Sequence, residues 1–232
     1  MFRRSVGPFV TALSVVALLR AAQPALAGYV TWLVYPFDIG KAQSLPWGDD
    51  WSRGRADYNL ANLIPDTDAL LTPSTPIVVR LETLRRAVIY ASRDRQIAES
   101  LLLTFAKRAR GADPSANPGA LAFLDAAFVT DALWQVGQHD NPPFTELSRP
   151  VHGLVAGAGG YALVQRGLAL HPDDPAYEFA AALIAGVAHL GSPEFIAHAR
   201  KAIAGSSRDA LIARNLDRIY ADQITRFQAV VR

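Results

Sequence analysis

From about residue 58 onward, apolar positions recur along the chain at helical spacing. Ile77, Leu81, Leu84 and Val88 share one face of a helix predicted over residues 76–90, with Arg80, Glu82, Arg85 and Arg86 largely away from that face. Ile97, Leu101 and Phe105 repeat every fourth residue in the next helix, over 93–110, with Ser92 as its expected cap. Lys107, Arg108 and Arg110 complement the dipole in its last turn, and Gly111 ends it. The connection between these two helices is very short, so an antiparallel hairpin is expected. Residues 118–136 are apolar almost all round, with Leu121, Leu124, Phe128, Leu133 and Trp134, which predicts a central buried helix. A proline-rich loop from Asn141 to Pro150 follows, and then a helix over 155–170 that begins either among its glycines or only near Gly160. Further helices are predicted over 175–190 and 193–204. The last starts at a capping-box-like Ser206-x-x-Asp209 and carries Ile212, Leu216, Ile219 and Phe227 inward. Its Arg218, Asp222 and Arg226 read as a solvated row.

A capping residue followed by proline recurs as Thr75-Pro76, Asn117-Pro118, Asp174-Pro175 and Ser192-Pro193. The cap side chain accepts from an orphan backbone N–H, and proline at the first helical position loses no useful donor. Residues 28–59 behave differently. Seven aromatic residues (Tyr29, Trp32, Tyr35, Phe37, Trp47, Trp51 and Tyr58) crowd there between prolines and glycines, with no sustained helical period. The expected fold class is therefore all-α. It consists of antiparallel helical hairpins in a solenoid-like or compact right-handed array over 60–232, with an ordered, aromatic-rich N-terminal arm over 28–59.

The first 27 residues change the charge argument. Arg3 and Arg4 precede an apolar run from Val6 to Leu19, and Ala25-Leu26-Ala27 offers small residues for cleavage, the order of a secretory signal peptide. Three of the 23 basic residues and none of the 21 acidic ones lie there, so the remainder carries 20 against 21. The slight positive charge of the whole chain thus belongs to the leader and gives no footprint for nucleic acid. The expected location is exported, periplasmic or extracellular, with no stable membrane span once the signal is removed. There is no cysteine, which excludes disulfides, thiolate metal sites and a cysteine nucleophile.

The stretch Gly167-Leu168-Ala169-Leu170-His171-Pro172-Asp173-Asp174-Pro175, followed by Phe179, Leu190-Gly191 and Lys201-Ala202-Ile203, resembles a tetratricopeptide-type repeat and its linker. The resemblance spans about residues 161–203. Leu183 and Phe195 depart from it where a small residue is expected, and the repeat is one residue longer than usual. What it implies is a binding scaffold, usually for protein segments, with no chemistry of its own.

No ligand spacing joins the five histidines, and no nucleophile elbow or phosphate loop occurs, so no cofactor or metal is expected. The acid pairs Asp49-Asp50, Asp66/Asp68 and Asp173-Asp174 sit at expected turns and caps. The most unusual stretch is 47–55. There Trp47, Asp49, Asp50, Trp51, Arg53 and Arg55 are candidate partner-binding residues, able to stack on and grip a ligand. The bland alternative is that both indoles pin the arm to the helices. The expected function is an exported helical scaffold for a protein or peptide partner. The alternative is an exported hydrolase or carbohydrate-binding protein acting on an envelope or extracellular polymer.

Overall fold

The computed structural model describes residues 33–220 apart from 34, 51–53, 114, 139–144, 158 and 189. The expected leader, residues 1–27, lies outside the described residues. Within them the regular structure is entirely helical: α1 (Leu63–Leu70), α2 (Ile77–Ala91), α3 (Arg95–Gly111), α4 (Asn117–Gln138), α5 (Thr145–Val151), α6 (Gly160–Leu168), α7 (Pro175–Ala188), α8 (Pro193–Gly205) and α9 (Ala210–Arg214). Short 3-10 turns stand at Leu60–Asn62, Ser206–Arg208 and Leu216–Ile219.

The centre is α4, which packs against α2, α3, α5, α6 and α7. Its length and mean hydropathy of 1.2 would suit a membrane crossing, but 83% of that apolar window is buried inside the protein. Its all-round apolar sequence is that of a core helix. Phe123, Leu124, Phe128 and Leu133 are fully buried, and α7 is buried from Tyr177 to Val187.

Several helix starts follow the cap–proline rule. Ser192 Oγ accepts from the Phe195 N–H (3.1 Å), with proline at the start of α8, and Asp174 accepts from the Ala176 N–H (2.8 Å) at the start of α7. Two starts differ. Pro76 itself occupies the cap position of α2, while the Thr75 hydroxyl donates to the Leu70 carbonyl (2.7 Å) and folds the preceding loop. Asp94, rather than Ser92, caps α3; Ser92 instead donates back to Val88 O (2.7 Å) as the C-cap of α2.

The expected proline-rich loop contains a short helix, α5, with Pro150 inside it. The single long C-terminal helix is replaced by broken pieces, with Asp209 rather than Ser206 as the cap of α9. Ile212 and Ile219 still point inward, Phe227 lies outside the described residues, and Arg218 reaches Pro36 O (2.9 Å) and stacks over Tyr35. The helix predicted over 155–170 begins only at Gly160. A Cβ there would stand 2.5 Å from Ala127 O, and one at Gly167 would stand 3.0 Å from Ala120 O, so both glycines let α6 lie close on α4.

The largest departure is α2. Arg80, Glu82 and Arg85, expected away from the core, are buried. Arg80 is buried against Asp125 of α4 and Thr72 O, whereas Glu82 and Arg85 are covered by the non-helical chain of residues 35–50. The Glu82 carboxylate accepts from the Phe37 N–H (3.0 Å) and from Arg85 Nε and Arg86 Nε (both 2.7 Å). Arg85 donates to Leu33 O and Arg86 to Leu45 O. The Glu82 and Arg85 charges are thus paired, and their further hydrogen bonds go to backbone groups, the condition under which such burial is tolerated. Phe37 enters the core between Phe128 and Phe179, with ring centroids 6.5 and 6.3 Å away.

Candidate functional site

Of the six candidate partner-binding residues, Trp51 and Arg53 lie outside the described residues. Trp47 is half-buried against α2. Its ring meets Tyr90 edge-on at 5.4 Å, and the guanidinium groups of Arg85 and Arg86 lie 5.1 and 5.6 Å from its centroid. Its indole N–H donates to Asp50 O (2.9 Å), so the two residues close one turn. The Asp49 and Asp50 side chains face solvent, and Arg55 is tied to its neighbour Asp57. Tyr90 holds the segment at two further points: its hydroxyl donates to Pro46 O (2.7 Å) and accepts from the Arg55 N–H (2.8 Å). Trp47 thus has its faces and edge engaged by the protein itself.

A second feature was not singled out by sequence pattern. An open groove of about 810 Å³ runs between the C-terminal half of α3 and the start of α4. Gly111, Ala112, Ala116, Pro118, Gly119 and Ala122 form its apolar lining, Thr104, Lys107 and Arg108 form the α3 wall, and Asp113 adds one acidic residue at the turn between the helices. Gly119 lets the backbone of Asp113 lie close on α4, where a Cβ would strike Asp113 O at 1.8 Å. Leu103, one turn before Lys107, is 61% exposed.

Arg108 joins this groove to a buried ionic cluster. It pairs with Asp68 of α1, while Arg80 Nη1 donates to Asp125 Oδ2 (2.7 Å) and Arg80 Nη2 to Thr72 O (2.6 Å). Burial pushes the Asp125 carboxyl up to about 6, against the opposing pull of Arg80. Arg80 Nε, Asp125 Oδ1 and the Tyr177 hydroxyl are buried without a protein hydrogen bond. Tyr177 is also stacked on His171, with centroids 4.3 Å apart.

The remaining acid pairs are engaged structurally. Asp66 accepts from the Tyr58 hydroxyl (2.7 Å), Asp173 pairs with Lys201 (3.0 Å), and Asp174 caps α7. Among the described residues, no group of three or more His, Asp or Glu side chains is placed to hold a metal ion. His139 and His189 lie outside the described residues. His198 itself pairs with Glu178.

The signal for the groove was present but diffuse: Gly111, Ala112, Ala116 and Gly119 read as a helix stop and a start. Only the packing of α3 against α4 brings those small residues to one groove. Compared with known proteins, the chain matches no family model, no curated protein and no solved structure.

Proposed function

We propose that the chain is an exported helical scaffold that holds a peptide segment of a partner protein in the α3–α4 groove. The observation that carries this reading is the groove itself: an open channel of about 810 Å³ with an apolar floor of small residues and a cationic wall. Lys107 and Arg108 line it, and Arg110 is exposed on the same last turns of α3. Charge complementarity selects a segment that carries carboxylates among small apolar side chains. Leu103, exposed at the upper end, offers an apolar contact beyond the groove. The pairing of α2 with α3, α3 with α4 and α7 with α8 supports an array of helical hairpins. Because α4 also reaches α2 and α7, a compact array suits these contacts better than an open stack. The resemblance of residues 161–203 to a tetratricopeptide repeat belongs to the same reading, as does the expected arm, whose described residues 35–50 brace α2. The basic–apolar–small order of residues 1–27 supports export.

The test is peptide selection against the chain lacking residues 1–27. Enriched peptides are expected to be acidic and apolar. Lys107→Glu and Ala122→Trp should each weaken them about tenfold or more. Arg200→Glu, at an exposed site on α8, should leave binding unchanged. Selected peptides that bind equally well to both groove variants would overturn the proposal.

A further inference from the structure

The second site lies away from the groove, where α6, α7 and α8 meet. Glu178 on α7 is almost fully buried, and its two oxygens have different partners. Oε1 accepts from Lys201 Nζ (2.9 Å), and Oε2 lies 2.5 Å from His198 Nδ1. An ionised carboxylate only accepts, so the bond at Oε2 places the imidazole proton on Nδ1. With that single proton on the ring, Nε2 is an acceptor. It lies 2.9 Å from the Tyr161 hydroxyl of α6, which donates to it. The Tyr161 and His198 rings meet at 62°, with centroids 5.8 Å apart. The chain of bonds therefore has one direction, from phenol to imidazole to carboxylate. Tyr161 is half-buried, so part of it remains open to solvent.

A nucleophile within reach of a base, itself oriented by a third group, is the arrangement that activates weak oxygen nucleophiles. Burial, and then the negative charge of Glu194, hold the Tyr161 phenol above its ordinary value. It is therefore protonated at neutral pH and, like an alcohol, needs a base at the moment of attack. His198 is in place to be that base. The carboxylates of Glu194 and Glu178 nearby disfavour an anionic electrophile and leave a neutral one.

We propose that Tyr161, His198 and Glu178 form an acyl-transfer site for a neutral carboxylic ester. The Tyr161 oxygen attacks the ester carbonyl carbon as its proton passes to His198 Nε2. The tetrahedral adduct collapses and breaks the bond to the alcohol oxygen, which takes the proton back from His198. Acyl-Tyr161 and a free alcohol remain. Water, deprotonated by His198, then attacks the acyl carbon, and the carboxylic acid leaves as Tyr161 regains its proton. Glu178 is the positioning residue: it fixes the tautomer and stabilises the imidazolium formed in each half.

The experiment uses p-nitrophenyl acetate with the purified chain, and site-resolved peptide mass spectrometry to follow acetylation in time. Tyr35 is the internal reference, because it is 56% exposed and, among the described residues, no histidine bonds to it. Acetylation of Tyr161 is expected to exceed that of Tyr35 about tenfold or more in the unmodified chain. His198→Gln should remove that excess while leaving Tyr35 and the melting temperature unchanged, and Tyr161→Phe should abolish the accompanying burst of p-nitrophenol. Equal acetylation of the two tyrosines would overturn the proposal and needs no variant. So would an excess at Tyr161 that survives His198→Gln. Neither outcome touches the groove, whose residues are distinct.

Discussion

At the scale of single residues, the telling contrast is between Trp47 and Glu82. Trp47 stands out in the sequence, and a fully buried indole would be worth roughly 3–5 kcal/mol on truncation. In the structure it is half-buried, held by the Tyr90 ring edge, two guanidinium groups and one hydrogen bond to Asp50 O. Trp47→Ala is accordingly expected to destabilise by about 2 kcal/mol, read by urea unfolding, because part of the lost contact is already shared with water. An unchanged unfolding midpoint would mean that the indole contributes nothing to holding residues 35–50. Glu82 attracts no attention in the sequence, yet it is the hub for Phe37, Arg85 and Arg86. Its role depends on a backbone N–H 45 residues away, which no local pattern announces.

At the scale of elements, the junction of α6 with α4 shows how local preference and packing compete. Glycine weakens a helix by roughly 1 kcal/mol relative to alanine, so Gly160→Ala would stabilise an isolated α6. The structure reverses that sign. The added Cβ would lie 2.5 Å from Ala127 O and 2.7 Å from Asp131 Oδ2, and backbone on α4 has little room to move. Gly160→Ala is expected to destabilise by roughly 1–3 kcal/mol, and Gly153→Ser, whose Cβ would meet nothing within 4 Å, should be limited to the strain of its positive φ. Thermal unfolding of the two variants side by side checks the order: Gly160→Ala should melt lower. The same junction explains why α6 begins where it does. Asp131, from α4, accepts from the Gly159 and Gly160 N–H groups (3.0 and 2.8 Å), so its cap comes from another helix.

At the scale of the whole molecule, Asp125 and Asp131 couple stability to pH. Burial is the leading cause in both, and each carboxyl is pushed up to about 6. An exposed aspartate in the unfolded chain titrates near 3.9. The folded chain therefore holds these protons more tightly than the unfolded one. Their contribution is full below about pH 4 and is lost as pH rises through about 6. A shift of roughly two units corresponds to at most about 3 kcal/mol per group. Asp131→Asn keeps an oxygen for the two glycine N–H groups and cannot ionise. It should be progressively more stable than the unmodified chain as pH rises from 4 to 7, as followed by melting temperature. A constant difference across that range would show that Asp131 does not titrate there.

The all-α class and several helix starts were determined by the sequence alone. Apolar spacing, Ser192-Pro193, Asp174-Pro175 and the Gly111 stop are local signals; Ser192 and Asp174 make the expected cap hydrogen bonds, and α3 ends at Gly111. The buried centre at residues 118–136 was equally legible, because a helix without a polar face has no place at a surface. What only the tertiary structure decided were the features set by distant partners. Arg80, Glu82 and Arg85 looked solvated, since a charge buried beneath another segment has the same sequence signature as a charge in water. The α3–α4 groove arises from a gap between elements, and the Tyr161–His198–Glu178 chain joins three helices. Periodicity reports which face of a helix turns inward. It carries no information on which neighbour waits there, and at these sites that neighbour supplies the chemistry.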